Sequence, residues 1–106
     1  MRQLCPSWTL VEGGKVLERQ FVARDFAAAL AALVDFGAVA EAAGHHPDVA
    51  IASYRTVTVR LFTHSLGTLT VNDFVVAAAL DAVPVAHSPA WLREHPTVVA
   101  GVAGVV

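Results

Sequence analysis

The sequence predicts an α+β fold: a four-stranded antiparallel sheet with helices packed on one face, in the order β-β-α-β-β-α, plus a C-terminal extension. Three observations predict it. Two strand-like runs flank Gly13-Gly14, an alanine-rich run at helical spacing follows Asp25, and a second pair of strand-like runs leads into a marked helix start at Thr70. Hairpins separated by a helix close into an antiparallel sheet that helices can cover on one side.

The elements follow in chain order. Trp8–Val11 and Val16–Val22 are apolar runs on either side of Glu12-Gly13-Gly14-Lys15. Glycine tolerates the positive φ of tight turns, so the pair reads as a hairpin. Asp25 is placed to cap a helix from Phe26. Phe26, Leu30, Leu33, Phe36 and Ala40 recur at helical spacing as its expected buried stripe. Gly44 suits the left-handed residue after a helix, and Pro47 bars continuation. Val49–Ser53 and Thr56–Thr63 read as the second hairpin, with Val57, Val59 and Leu61 on one face. Thr70 and Asp73 have capping-box spacing, and Leu69 and Phe74 that of a hydrophobic staple, for a helix running to about Val83. Ser88-Pro89 opens a further short helix that His95-Pro96 closes.

The chain has 106 residues, 56% hydrophobic and 15% charged, with a net charge of -2. That length suits one domain. Residues 1–85 carry the main unit and 86–106 form the extension, in which Thr97–Val106 is apolar and uncharged. The apolar excess leaves surface for other subunits to cover. No basic run offers a footprint for nucleic acid. No stretch approaches the roughly 20 apolar residues expected of a membrane span. Cys5 is the single cysteine, which fits a reducing compartment, and no basic segment leads an apolar run at the N-terminus. The expected location is the cytoplasm.

The chemistry concentrates in Gly44-His45-His46-Pro47-Asp48. Imidazole is the side chain whose proton moves most easily near neutral pH. A hairpin turning at Tyr54-Arg55 would set His46 across from His64, with His45 next door and Asp73 within reach on the following helix. A one-residue slip would turn His64 to the other face. Each histidine taken alone reads as a surface or capping residue, and it is the His45-His46 pair with its expected meeting with His64 that raises the functional reading. Asp73 reads first as a helix cap. Glu41, one turn before His45, can contact that histidine or lie in solvent. Zinc accepts histidine and carboxylate ligands, but adjacent residues point apart and no H-x-x-x-H pair occurs, so no metal site is expected. Cys5 has no base tied to it in sequence. His87 and His95 read as surface residues, and Trp8 and Trp91 as core or interface.

Glu41, three residues, His45-His46-Pro47, six residues, Tyr54, nine residues, His64, eight residues and Asp73 form a pattern that resembles the signature of the pterin-4a-carbinolamine dehydratases. Trp8, Phe21, Asp25-Phe26, Ala40-Glu41 and Gly67-Thr68-Leu69-Thr70 also look like that family, so the resemblance covers roughly Trp8 to Val83. It departs at Val49-Ala50-Ile51-Ala52, where relatives often carry an aromatic residue, and after Val83.

The resemblance implies the fold already read above and a hydro-lyase activity without metal or organic cofactor. The reaction removes water from a 4a-hydroxy-tetrahydropterin to give quinonoid dihydropterin, recycling the pterin of aromatic amino acid hydroxylases. It implies His45, His46 and His64 as catalytic residues, with Glu41, Pro47 and Asp73 on the substrate side. It also implies a homodimer or homotetramer acting on a pterin, with no direct nucleic-acid or membrane partner. A second implied role is non-catalytic, since some relatives act as a dimerisation cofactor for a homeodomain transcription factor and others are linked to Rubisco assembly.

Overall fold

The computed structural model describes residues 7–63 and 65–95. Cys5, His64 and the Thr97–Val106 run lie outside these described residues. The elements are β1 (Thr9–Val11), β2 (Val16–Val22), α1 (Phe26–Ala43), β3 (Asp48–Ala52), β4 (Thr56–Leu61), α2 (Val71–Asp81) and α3 (Pro89–Glu94). The four strands form one antiparallel sheet in the order β1-β2-β4-β3. This is the α+β architecture the sequence predicts.

Alternation along the central strands sorts the side chains. Leu17, Arg19 and Phe21 of β2 and Val57, Val59 and Leu61 of β4 are buried. Together with Ala28, Ala29, Ala32 and Phe36 of α1 and Val76, Ala77 and Leu80 of α2, the apolar residues of that set make the core. Burial of these apolar groups drives the packing. Phe21 and Phe36 meet edge to face, with centroids 6.2 Å apart.

The α1 helix starts as expected, with Asp25 Oδ1 accepting the Ala28 N–H at 2.8 Å. Its buried stripe differs from expectation. Phe36 and Ala40 are inside, but Phe26 and Leu30 are 50% and 45% exposed, while Ala28, Ala29 and Ala32 face the core. Ala28, Ala29 and Ala32 belong to one buried cluster with Phe21, Val57 and Val59 of the sheet. Large residues point away there, and Val34, 72% exposed, joins Phe26 and Leu30 at i, i+4, i+8. By length and composition alone α1 is also apolar enough to cross a membrane, which corrects the expectation that no such stretch exists. In this fold it packs one side on the sheet.

The second hairpin is registered two residues from expectation. Asp48 pairs with Arg60, where Phe62 was expected, and Ala52 pairs with Thr56. The turn is Ser53-Tyr54-Arg55 rather than Tyr54-Arg55, because Ser53 (φ 49°) and Tyr54 (φ 56°) both take the left-handed conformation. A slip of two keeps every side chain on its face. The β4 strand ends at Leu61, and Thr63 then makes an isolated bridge to Thr68.

The extension is packed onto the domain through residue 95. Ser88 N–H donates to Val22 O and Arg24 N–H to Ala86 O, both at 2.8 Å, so residues 86–88 cover the end of β2. His87, expected at the surface, is 8% exposed. Its ring stacks on Trp91 (centroids 5.1 Å), which stacks on His95 (4.0 Å), while Phe21 meets His87 edge-on at 5.3 Å.

Candidate active site

The C-terminus of α1 and the N-terminus of α2 converge to build the site. Gly44 closes α1 in the left-handed conformation (φ 66°), a geometry glycine adopts without steric cost. The turn throws His45 off the helix axis and across to the first turn of α2, where its Nε2 lies 2.5 Å from Asp73 Oδ1. Asp73 is fully buried. It sits at the third position of α2 in a capping box with Thr70, and its Oδ2 accepts the Thr70 N–H at 2.9 Å. Amide dipoles at a helix N-terminus favour a carboxylate there. The same oxygen accepts the Thr63 hydroxyl at 2.9 Å.

Glu41 meets a histidine, but not the expected one. Its Oε1 lies 2.7 Å from His46 Nε2. The i, i+4 contact expected with His45 presumes a continuing helix. The left-handed Gly44 ends that geometry and lets the next residue fold back over the last turn. The His46–Glu41 pair is open to solvent, with side chains 59% and 78% exposed, while His45–Asp73 is 17% and 0% exposed.

The site thus holds two imidazoles, each with one ring nitrogen on a carboxylate. An ionised carboxylate only accepts hydrogen bonds, so a proton on Nε2 completes each pair and leaves Nδ1 as the second ring nitrogen. Two adjacent imidazoles oriented in this way are equipped to give and take protons. Among the described residues, no three His, Cys, Asp or Glu side chains form a group able to hold a metal ion. Pro47 lies just after the pair, ahead of β3. His64 falls outside the described residues, in the short connection between Thr63 and Thr68.

With this geometry in place, comparison with known proteins fixes the family. Residues 1–83 match the family model described as Pterin 4 alpha carbinolamine dehydratase. The chain belongs to this pterin carbinolamine dehydratase family. A Gloeobacter violaceus protein named "Putative pterin-4-alpha-carbinolamine dehydratase 1" is 46% identical over 80 residues, covering 74% of this chain and 68% of its own. A similarly named Chloroflexus aggregans protein is 42% identical over 78 residues, covering 74% and 81%. Among solved structures, the Brucella melitensis transcriptional coactivator/pterin dehydratase superposes with a TM-score of 0.68 at 31% identity, covering 76% of this chain and 84% of that one. A pterin dehydratase-like protein described as a RuBisCO assembly factor in the alpha-carboxysome superposes with a TM-score of 0.60 at 25% identity, covering 72% and 87%.

Of the residues gathered here, the paired histidines, Glu41 and Asp73 stand out in the sequence, and Thr63 does not. The Thr63 Oγ1 contacts both Asp73 Oδ2 (2.9 Å) and Thr70 Oγ1 (2.8 Å). The only signal for it was its place beside His64. Two clefts bounded by described residues lie away from the histidine pair. One of about 410 Å³ runs between α1 and Pro84–Ala86, and one of about 360 Å³ lies by Trp91 and His95.

Proposed function

We propose that this protein dehydrates a 4a-hydroxy-tetrahydropterin to quinonoid dihydropterin by histidine general acid/base catalysis. The observation that carries the reading is the pair of adjacent imidazoles, each held through Nε2 by its own carboxylate. Family membership supplies the substrate class.

The chemistry asks for two proton transfers. In the carbinolamine a hydroxyl and a ring nitrogen share one carbon. Hydroxide leaves poorly, so an acid protonates the oxygen and water departs as the C–O bond breaks. The nitrogen lone pair forms the C=N bond, and a base takes the proton from that nitrogen. Each positioned transfer contributes about 10²–10⁴-fold. In this reading His45 and His46 carry the transfers, and His64 holds the substrate or the departing water. Glu41 and Asp73 orient the two imidazoles, and Pro47 shapes the substrate side. No step calls for a metal or organic cofactor. The protein works in the cytoplasm as a homodimer or homotetramer, and the exposed Phe26, Leu30 and Val34 of α1 supply apolar surface for a second copy. Residues 1–85 form the catalytic domain, with 86–106 as its extension.

A second reading is a non-catalytic assembly role. Similarity to the RuBisCO assembly factor favours it. The two readings separate in one assay. Purified protein mixed with 4a-hydroxy-tetrahydropterin should speed the appearance of quinonoid dihydropterin far beyond the buffer rate, whereas a rate equal to buffer alone would leave the assembly role.

A further inference from the structure

We propose that Thr63 is a positioning residue for His45, acting through Asp73 to fix the imidazole as its Nε2–H tautomer and leave Nδ1 to meet the substrate. The inference rests on the catalytic reading of His45 and adds the atom through which it works.

Asp73 is fully buried, and its oxygens receive two assigned donors and face one imidazole nitrogen. Its Oδ1 faces His45 Nε2 at 2.5 Å. Its Oδ2 takes the Thr70 N–H and the Thr63 hydroxyl, each at 2.9 Å. A hydroxyl has one proton to give. Thr63 gives it to Asp73, so the 2.8 Å contact between the two threonine oxygens is supplied by the Thr70 hydroxyl. The donors therefore run from Thr70 to Thr63 to Asp73, with His45 donating from the far side.

The helix end does not need Thr63. The Thr70 N–H already gives Asp73 its capping partner. What the Thr63 hydroxyl adds is a second donor on Oδ2, which pins the plane of the carboxylate and so the direction of Oδ1. Thr63 is itself held by its backbone: its N–H donates to Thr68 O at 2.9 Å, and its carbonyl accepts from Gly67 at 2.8 Å and from Leu66 at 3.0 Å. A rigid donor fixes the acceptor it binds. A carboxylate fixed on one oxygen selects which imidazole nitrogen bears the proton.

The test compares the wild type with Thr63→Val, which keeps the shape and removes the hydroxyl, and Thr63→Ser, which restores it. Nitrogen-15 NMR of labelled histidine reads the tautomer directly, and steady-state kinetics read its consequence. The wild type should show His45 protonated at Nε2. Thr63→Val should mix the tautomers and lower kcat about 10-fold with little change in KM, and Thr63→Ser should recover both. A wild-type His45 protonated at Nδ1 overturns the inference without any variant. A Thr63→Val protein with unchanged tautomer and kcat overturns it as well. If the wild type has no dehydratase activity but Thr63→Val still shifts the tautomer, the positioning stands and the catalytic reading falls.

Discussion

The two histidine–carboxylate pairs look alike on paper but differ in their surroundings. Asp73 is buried on α2, whereas Glu41 is 78% exposed near the end of α1. Water competes for an exposed pair and screens its charge. The buried pair therefore carries more of the orientation. Asp73→Asn presents an amide where a carboxylate meets His45, Thr63 and Thr70. It should lower kcat about 100-fold, while Glu41→Gln should cost about 10-fold or less. Parallel kcat and KM measurements on the two variants check this ranking, and equal losses would contradict it. The five polar residues of the site that the structure describes and the sequence marks divide cleanly in legibility. Residue types and spacing made His45, His46, Glu41 and Asp73 stand out. The pairing did not show, because it depends on the left-handed turn at Gly44, which sends His45 to α2 and returns His46 to Glu41. Thr70 was legible as a cap, but its hydroxyl contact with Thr63 bridges two segments and leaves no local pattern.

Among the elements, α1 shows where periodicity reads well and where it does not. The helix, its Asp25 cap and its Gly44 stop all follow from local chemistry. Its inward face does not, because helical spacing nominates Phe26 and Leu30 while Ala28, Ala29 and Ala32 take the buried positions there. The result is an apolar stripe of Phe26, Leu30 and Val34 on the outside, a surface of the kind that marks association. If a second copy covers it, the wild type should run larger than a monomer in size-exclusion chromatography with light scattering, and Leu30→Glu should shift it to the monomer mass. A monomeric wild type at tens of micromolar would contradict this use of α1. The second hairpin was legible as strands and faces but not in register. Two consecutive left-handed residues, Ser53 and Tyr54, are unusual for side chains of that kind and are set by the turn as a whole.

Over the whole molecule, one buried polar cluster joins the sheet to the C-terminal half. Arg19 Nη1 lies 3.3 Å from Asp81 Oδ1 and 3.4 Å from Leu80 O, and the Trp8 indole N–H donates to the same Asp81 oxygen at 2.9 Å. Burial lowers the Arg19 pKa against the pull of Asp81, and burial raises that of Asp81 against the pull of Arg19 and Trp8. Desolvation outweighs attraction on both partners, so the pair fixes where β2 meets α2 more than it adds stability. His87 lies on the same side of the core. Burial first, and then the charge of Arg19, lowers its pKa below the ordinary 6.5, against a backbone hydrogen bond to Val85. As pH falls through 6.5, the unfolded chain takes up a proton that the folded chain resists, so stability is full above that value and declines below it. Asp81 works in the opposite sense. Its raised value makes the folded chain bind a proton first, a contribution lost as pH rises from the ordinary 3.8 through that value. Thermal melts between pH 7.5 and 5.5 should therefore show a decline toward acid that His87→Phe removes or flattens. A variant with the wild-type slope would assign that decline to other groups.

The account turns on His45 and His46 as proton carriers, and a stopped-flow comparison of the wild type with the His45→Ala, His46→Ala double variant tests it most directly. With 4a-hydroxy-tetrahydropterin as substrate and circular dichroism confirming that both proteins are folded, the wild type should accelerate water loss and the double variant should keep almost none of that gain. A folded double variant that turns over at the wild-type rate would contradict the account.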